Sequence, residues 1–531
     1  AVESENPQTT PSAGLNDARM TAPPDIDRYR IAWFGATIFL SSAILLVIEI
    51  TAGRLIAPYV GVSIYSWTSI IGVILAGLSL GNWLGGRWAD QGGNEKSVGI
   101  VLALAGVFCL FSLLALALVA PLLQKSRLDL VSASFLYVLS MFFVPSVLIG
   151  IVTPLLTTLA LRLDERAGHI VGRMHALAAL GSIIGTFLTG YVLIQYFGSR
   201  NIILACSLAL FILAVPFFQR MSKTPVVVLV GMAMGLGALI EARGGWVNPC
   251  DRESNYFCLR VVDASHEAPF GKAKALILDH LLHSINHESE PAMLLSPYVH
   301  LMDELVLDHF GQESASELDY FFAGGGAYTQ PRAIQALSPG AKVTVAEIDS
   351  AVTQLAVDEL FVSIDDMHVF HHDARTVLGR LQDARFDVVV TDAFHDIAVP
   401  YHLVTQEFAQ LVKSRMNASG LFVTNVVDAF PDPKMVKSLA KTLKAEFDHV
   451  DIWVDDIPQR PRRMTYVVSA SSREIRDDVL DARRGFERRW YRINVPLMSV
   501  GTPMDELPVF TDDFVPVERM ISSLLLTPEG L

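Results

Sequence analysis

From residue 31 to about residue 241 the chain runs through long apolar segments, near 31–50, 66–86, 98–122, 132–160, 172–197, 201–218 and 224–241. A helix of roughly 20 apolar residues crosses the ~30 Å hydrocarbon layer of a bilayer, so this pattern predicts a multi-pass α-helical membrane domain of about seven helices over 31–241. The fourth segment holds Pro145 and Pro154, where a kink or break is expected. The seventh is short and glycine-rich. Residues 1–30 are polar, rich in Pro, Ser and Thr and without an apolar period, and predict a disordered tail.

Beyond residue 241 the period shortens. Apolar, β-rich runs at 256–262, 275–278, 318–323, 343–348, 367–371, 386–391, 420–426, 450–454 and 464–469 alternate with helical stretches. This alternation predicts an α/β Rossmann-like domain over 318–531, a mainly parallel sheet with helices on both faces, preceded by a small β-rich segment at 242–317.

Composition supports the division. Of 531 residues 51% are hydrophobic and the mean hydropathy is +0.40, too apolar for an ordinary soluble protein, so the lipid bilayer is an expected partner. A net charge of −14 without a sustained Lys/Arg run excludes a nucleic-acid partner. Between the spans, ten Lys/Arg fall on one side (Arg19, Arg28, Arg30, Arg87, Lys96, Arg162, Arg166, Arg173, Arg220, Lys223) and four on the other (Arg54, Lys125, Arg127, Arg200). That bias predicts an inner (cytoplasmic) membrane protein with a cytoplasmic N-terminus, and seven crossings then leave the C-terminal domain extracytoplasmic. No signal-peptide cleavage pattern precedes the first apolar run, which is expected to stay as an anchor.

Gly77/Gly81/Gly85 and Gly181/Gly185 recur at four-residue spacing and allow close helix approach, either inside the bundle or against a membrane-protein partner. Glu49, Asn82 and His175 are the polar groups in or near the spans; Glu49, five residues before Arg54, pairs or reaches the interface, with a proton or substrate role as the alternative. No paired inverted repeats with broken helices argue for a transporter. After the last span, Cys250 and Cys258 are readable as free thiols, half of a metal site or a disulfide. The lack of a second Cys or His pair at zinc spacing weakens the metal option, and an oxidising compartment favours the disulfide.

The candidate chemistry lies at strand ends. Gly324-Gly325-Gly326 close the apolar run 318–323 and open a helix with Pro331 in its first turn, as the phosphate or nucleoside turn of a Rossmann-like sheet does. Glu347 ends the next strand about 20 residues on, where an acid takes ribose hydroxyls. Asp373, followed by Ala374, ends the third, and Asp392, with Asp396 four residues later, ends the fourth and faces the ligand crevice. Capping of the following helix is the structural alternative for each acid.

This order and spacing resemble the spermidine synthase family of aminopropyltransferases, and with the preceding helices the membrane-fused branch of that family. The resemblance extends over Glu49…Arg54, Gly61, residues 81–87, Gly172-Arg173…Gly181, 256–427 and 510–518. It implies a β-rich segment on a seven-stranded, methyltransferase-type domain and decarboxylated S-adenosylmethionine as co-substrate. It also implies Glu347 as the ribose-binding acid, Asp373 with Ala374 as the adenine-binding pair, Asp392 as the acid that holds or deprotonates the attacking amine, and Tyr298 on the substrate side. Asp396 is the second acid of that loop.

The chain departs from the family where Ala327 replaces an acid after the glycines, Tyr328-Thr329 replace a glycine pair, His283 replaces a glutamine and His300 a glutamate. Fewer carboxylates and more imidazoles weaken a site for a dicationic diamine. Histidines at 280, 283, 287, 300, 371, 372 and 395 raise a metal alternative, but no His-Glu-x-x-His pattern is present and no metal is expected. Three functions follow: an amine-directed transferase with a small amine substrate, a catalytically degenerate extracytoplasmic binding or assembly subunit, and an S-adenosylmethionine-dependent methyltransferase. Topology discriminates among them, since sulfonium nucleosides are made in the cytoplasm.

Overall fold

A computed structural model describes residues 24–125, 128–164, 166–218, 223–394, 398–475, 477–493, 500–522 and 524. The N-terminal part is a bundle of α1 (Pro24–Val60), α2 (Ile64–Asp90), α3 (Glu95–Lys125), α4 (Leu130–Leu161), α5 (Ala167–Leu188), α6 (Ile194–Phe197), α7 (Ser199–Phe218) and α8 (Lys223–Ala242). A π turn joins α5 to α6, so that 167–197 forms one span.

Six of these helices, among the described residues, are long and apolar enough to cross a membrane, one fewer than the sequence pattern predicts. The seventh apolar stretch, Val226–Ala242, is a shorter helix. Part of the expected tail, residues 24–30, belongs to α1. Residues 1–23 lie outside the described residues, but Pro24 already opens α1, and Arg30 near its start is paired with Asp27 and with Glu95 of α3. Pro145 and Pro154 lie inside α4 without interrupting it.

The glycine pairs pack within the bundle. A Cβ on Gly81 would stand 2.2 Å from the Val147 carbonyl oxygen of α4, and one on Gly181 2.0 Å from that of Phe39 in α1, so only glycine allows these backbones to approach so closely. Arg200, at the start of α7, donates to the Gly245 carbonyl just after α8, which puts the end of α8 beside the start of α7.

The C-terminal part begins with an antiparallel sheet of β1 (Arg252–Glu253), β2 (Cys258–Asp263), β3 (Ala273–Leu278) and β4 (Leu281–His287). Then come α9 (Pro297–Phe310), β5 (Asp319–Ala323), α10 (Thr329–Leu337), β6 (Lys342–Ala346), α11 (Ser350–Glu359), β7 (Met367–Phe370), α12 (Ala374–Arg380) and β8 (Phe386–Thr391). The chain continues through α13 (Gln406–Arg415), β9 (Met416–Phe430), α14 (Lys434–Lys444), β10 (His449–Val454), β11 (Arg462–Ser471), β12 (Val479–Asp481) and β13 (Arg489–Arg492).

One nine-stranded sheet runs β12-β13-β10-β11-β9-β8-β5-β6-β7. Its β9-β8-β5-β6-β7 portion is parallel and the rest antiparallel. It is therefore a mixed sheet, wider by β12 and β13 than the seven strands the resemblance implies. Side chains alternate between two apolar cores: Tyr320 and Phe322 enter one, Phe321 and Ala323 the other, which is why β5 is apolar throughout.

Three contacts seat this part on the helices. Arg54 near the end of α1 donates to the carbonyls of Ser254 and Tyr256, the latter at 2.7 Å. Glu253 accepts from the Ser199 backbone N–H at the start of α7 at 2.9 Å, and Glu518 from that of Ile64 at the start of α2 at 3.0 Å. Carboxylates at helix N-termini satisfy amides that have no partner inside the helix. Cys250 and Cys258 are joined in a disulfide that closes the loop beneath these contacts.

Candidate active site

The glycine turn sits where β5 ends between β6 and β8. Gly324 (φ +99) and Gly326 (φ +50) occupy the left-handed region, and a Cβ on Gly324 would lie 2.4 Å from the Asp392 carbonyl oxygen. Tyr328, next in the turn, is left-handed as well (φ +55) despite its side chain. Its ring is fully buried, and its hydroxyl meets Thr353 Oγ1 at 2.7 Å. A Cβ on Gly325 would stand 2.6 Å from that ring, so the tyrosine fills space beside the turn. Ala327 is buried, and its carbonyl accepts from Asn286 of β4 at 2.7 Å.

Glu347 follows β6 and turns its carboxylate onto the backbone: Oε2 accepts from Gly325 N at 2.7 Å, Oε1 from Asp349 N at 2.9 Å. Burial raises its pKa, against the lowering effect of these amides. Asp349 in turn caps α11 and accepts a hydrogen bond from the Ser254 hydroxyl. Asp373 caps α12 through Thr376 N at 2.9 Å, and its other oxygen lies 2.6 Å from His402 Nε2. The imidazole, followed by burial acting in the opposite sense and the Thr376 amide, brings its pKa down to about 2. Ala374 opens α12 and is buried. Asp396 and His395 lie outside the described residues.

Asp392, at the end of β8, is half-buried, with its Oδ1 enclosed. Burial pushes its pKa up to about 6, with Asn425 and Tyr298 pulling the other way. Oδ2 lies 3.3 Å from the Tyr298 hydroxyl, which donates to the His283 carbonyl at 2.7 Å; Oδ1 has no hydrogen-bond partner. Asn425, on β9, also leaves its Oδ1 unpaired and buried. Burial carries the Tyr298 pKa well above its ordinary value and lowers that of His283 to about 4, so this imidazole is neutral near pH 7. The space between the glycine turn and Asp392 is a cavity of about 20 Å³, room for one water.

Gly324, Asp392, Tyr298 and Asn425 thus converge, while Glu347 backs the turn and Asp373 stands one strand further out. Asn425 was missed in the sequence, although a lone amide within the apolar run 421–427 was a legible signal. His283 and His287 are both on β4; His287 is held by the Phe270 carbonyl at 2.6 Å and by the Ser289 and Glu290 amides. Among the described residues no three His, Cys, Asp or Glu groups converge on a metal-sized site.

Parallel strands ending in acids around a glycine turn are the arrangement of a Rossmann-like α/β domain. More particularly, the C-terminal part carries a spermine/spermidine synthase domain: residues 306–478 match that family model. The chain is 26% identical over 211 residues to a probable polyamine aminopropyl transferase of Bifidobacterium longum (strain NCC 2705), covering 37% of this chain and 47% of that protein. It is 31% identical over 129 residues to a polyamine aminopropyltransferase of Vibrio vulnificus (strain CMCP6), covering 23% and 41% respectively. The chain thus spans about half the length of the curated relatives it matches. Among solved structures, a probable spermidine synthase from Corynebacterium glutamicum ATCC 13032 aligns with a TM-score of 0.42 and 19% identity, over 49% of this chain and 95% of that one.

Proposed function

We propose that the chain is a membrane-anchored transferase that moves an aminopropyl group, or another group borne on a sulfonium nucleoside, to an amine. The observation that carries this reading is the pair of buried, unpaired oxygens, Asp392 Oδ1 and Asn425 Oδ1, beside the Tyr298 hydroxyl at the crevice end of β8. Buried acceptors without donors are costly, and an ammonium supplies several donors at once. The relatives named polyamine aminopropyltransferases support decarboxylated S-adenosylmethionine as the group donor. S-adenosylmethionine, and with it methyl transfer, uses the same turn and acids.

The residues fit such a nucleoside in part. Gly324 and Gly326 provide a backbone without side chains, and Glu347, one of whose oxygens is shared by the Gly325 and Gly326 amides, would exchange those bonds for ribose hydroxyls. Ala374 and Asp373 would border the base, with His402 holding the Asp373 carboxylate. In the reaction the amine nitrogen forms a bond to the carbon attached to the sulfonium sulfur. That carbon–sulfur bond breaks with its electron pair going to sulfur, leaving a neutral thioether. Asp392 stabilises the bound ammonium and takes the proton the nitrogen loses. Its raised pKa suits it to hold that proton and pass it to water.

The non-catalytic subunit remains a second reading because of one observation: Tyr328 and the about 20 Å³ cavity leave little room beside the turn. The extracytoplasmic orientation is proposed on the Lys/Arg bias and the Cys250–Cys258 disulfide, with α8, whose end lies beside the start of α7, as a short seventh crossing, and it favours this second reading, since sulfonium nucleosides are made in the cytoplasm. Calorimetry of the full chain in detergent with 5′-methylthioadenosine and decarboxylated S-adenosylmethionine tests the transferase. Affinity for either, with turnover abolished in Asp392→Asn, supports it, and no nucleoside affinity at all refutes it.

A further inference from the structure

We propose that the cavity against Tyr298 takes an amine that also carries a carboxylate, an ω-amino acid rather than a diamine. The proposal deepens the transferase reading and rests on it for the amine end.

A cavity of about 270 Å³ lies against Tyr298, with Trp490, Asp455, Arg462, Arg463, Thr465 and Val467 among its lining residues. Its floor is one face of β11. Arg463, Thr465 and Val467 alternate onto that face and pair across to Ala429, Val427 and Asn425 of β9. The row therefore begins at Asn425, beside Asp392, and ends at Arg463. Four residues of strand span about 13 Å, a length that one extended ligand bridges with the help of the arginine side chain.

The charge on this lining is of the wrong sign for a dication. Its charged members are two guanidiniums and one carboxylate. Arg462 is paired with Asp456 at 3.0 Å, and Asp455 acts on the Arg488 guanidinium. Arg463 is exposed and has no carboxylate partner among the described residues. The inner end of the row, by contrast, presents acceptors: Asp392 Oδ1 and Asn425 Oδ1. Acceptors at one end and a free guanidinium at the other match an ammonium and a carboxylate on one molecule, since the planar guanidinium binds carboxylates in a bidentate way. A diamine would set its second ammonium against Arg463.

The test is calorimetry on the full chain in detergent with 5-aminopentanoate and 1,5-diaminopentane, two probes of like length that differ at one end. Wild type is expected to bind 5-aminopentanoate about tenfold or more tightly than the diamine. Arg463→Glu, at an exposed position and with an unchanged Tm as control, reverses that order, while Arg463→Lys preserves it. Equal or tighter binding of the diamine to wild type, a preference that survives Arg463→Glu, or binding of neither probe overturns the proposal. 5′-Methylthioadenosine is titrated into the same samples. No nucleoside affinity with intact Arg463-dependent selectivity refutes the transferase reading alone, and nucleoside affinity without that selectivity refutes this inference alone.

Discussion

The Tyr298 hydroxyl lies 3.3 Å from Asp392 Oδ2, on a carboxyl that burial holds near pKa 6. If Asp392 takes the proton of the amine, log kcat/KM rises with unit slope below about pH 6 and levels above it. Tyr298→Phe removes a hydrogen bond that favours the carboxylate, so the rise moves to higher pH. Asp392→Asn lowers turnover by at least about 100-fold. A carboxyl raised by burial favours the fold at acid pH, and that stability is lost as pH climbs from about 4 through about 6. Asp392→Asn is therefore expected to stabilise the protein by about 1–2 kcal/mol at pH 8 and hardly at pH 4, read by denaturant titration.

Tyr328 combines a left-handed backbone with a buried ring. Tyr328→Phe breaks the bond to Thr353 and costs about 1 kcal/mol. Tyr328→Gly relieves about 1 kcal/mol of backbone strain but loses the packing of a large side chain, for a net loss of about 2–4 kcal/mol. By emptying the space beside Gly325 it tightens binding of 5′-methylthioadenosine, and unchanged or weaker affinity would show that the ring does not obstruct the site.

Asp373 contributes as a cap whatever its part in binding. Asp373→Ala is expected to cost about 1–2 kcal/mol at pH 7, and Asp373→Asn, which keeps a cap but loses the charge that His402 and Thr376 favour, about 1 kcal/mol. Because the folded carboxyl titrates near 2, its stabilising effect is present above about pH 4 and is lost as pH falls toward 2. Equilibrium unfolding of wild type and Asp373→Asn should converge over that window.

Joining Cys250 to Cys258 closes an eight-residue separation, for which chain-entropy arguments give about 2–3 kcal/mol of stability. Replacing both cysteines with serine should cost that amount in unfolding measurements without reductant. In intact membranes the two thiols should react with maleimide only after reduction. Ready labelling in untreated membranes counts against both the bond and the extracytoplasmic placement.

Much of this architecture was legible because burial imposes periods on sequence. The long apolar runs gave the helices, and 386–391, buried on both faces, coincides with β8. What escaped was polar structure satisfied at a distance. β4 reads Leu-Leu-His-Ser-Ile-Asn-His, yet Ser284 and Asn286 are buried because Thr329 bonds both at 2.7 Å. β13 looks like a charged loop until Arg489 meets Asp481 and Arg492 meets Asp451 and Asp478. At the site, spacing put Asp392 at a strand end, the resemblance pointed to Tyr298, and capping was an alternative for Asp373, but residue order could not tell that Glu347 would turn inward to the glycine amides or that Asp373 would also meet His402. Those outcomes depend on which donors the fold brings near, and residue order does not encode that locally.

The loop closed by the disulfide lies on one of the links between the two parts of the molecule. Arg54 grips its carbonyls, Ser254 within it bonds Asp349, the Asp349 amide bonds Glu347, and Glu347 holds the amide of Gly325. These four links form an unbroken mechanical train from the end of the first apolar helix to the glycine turn. A shift at the end of α1 is therefore expected to register at the glycine turn, which ties the geometry of the crevice to that of the helix bundle.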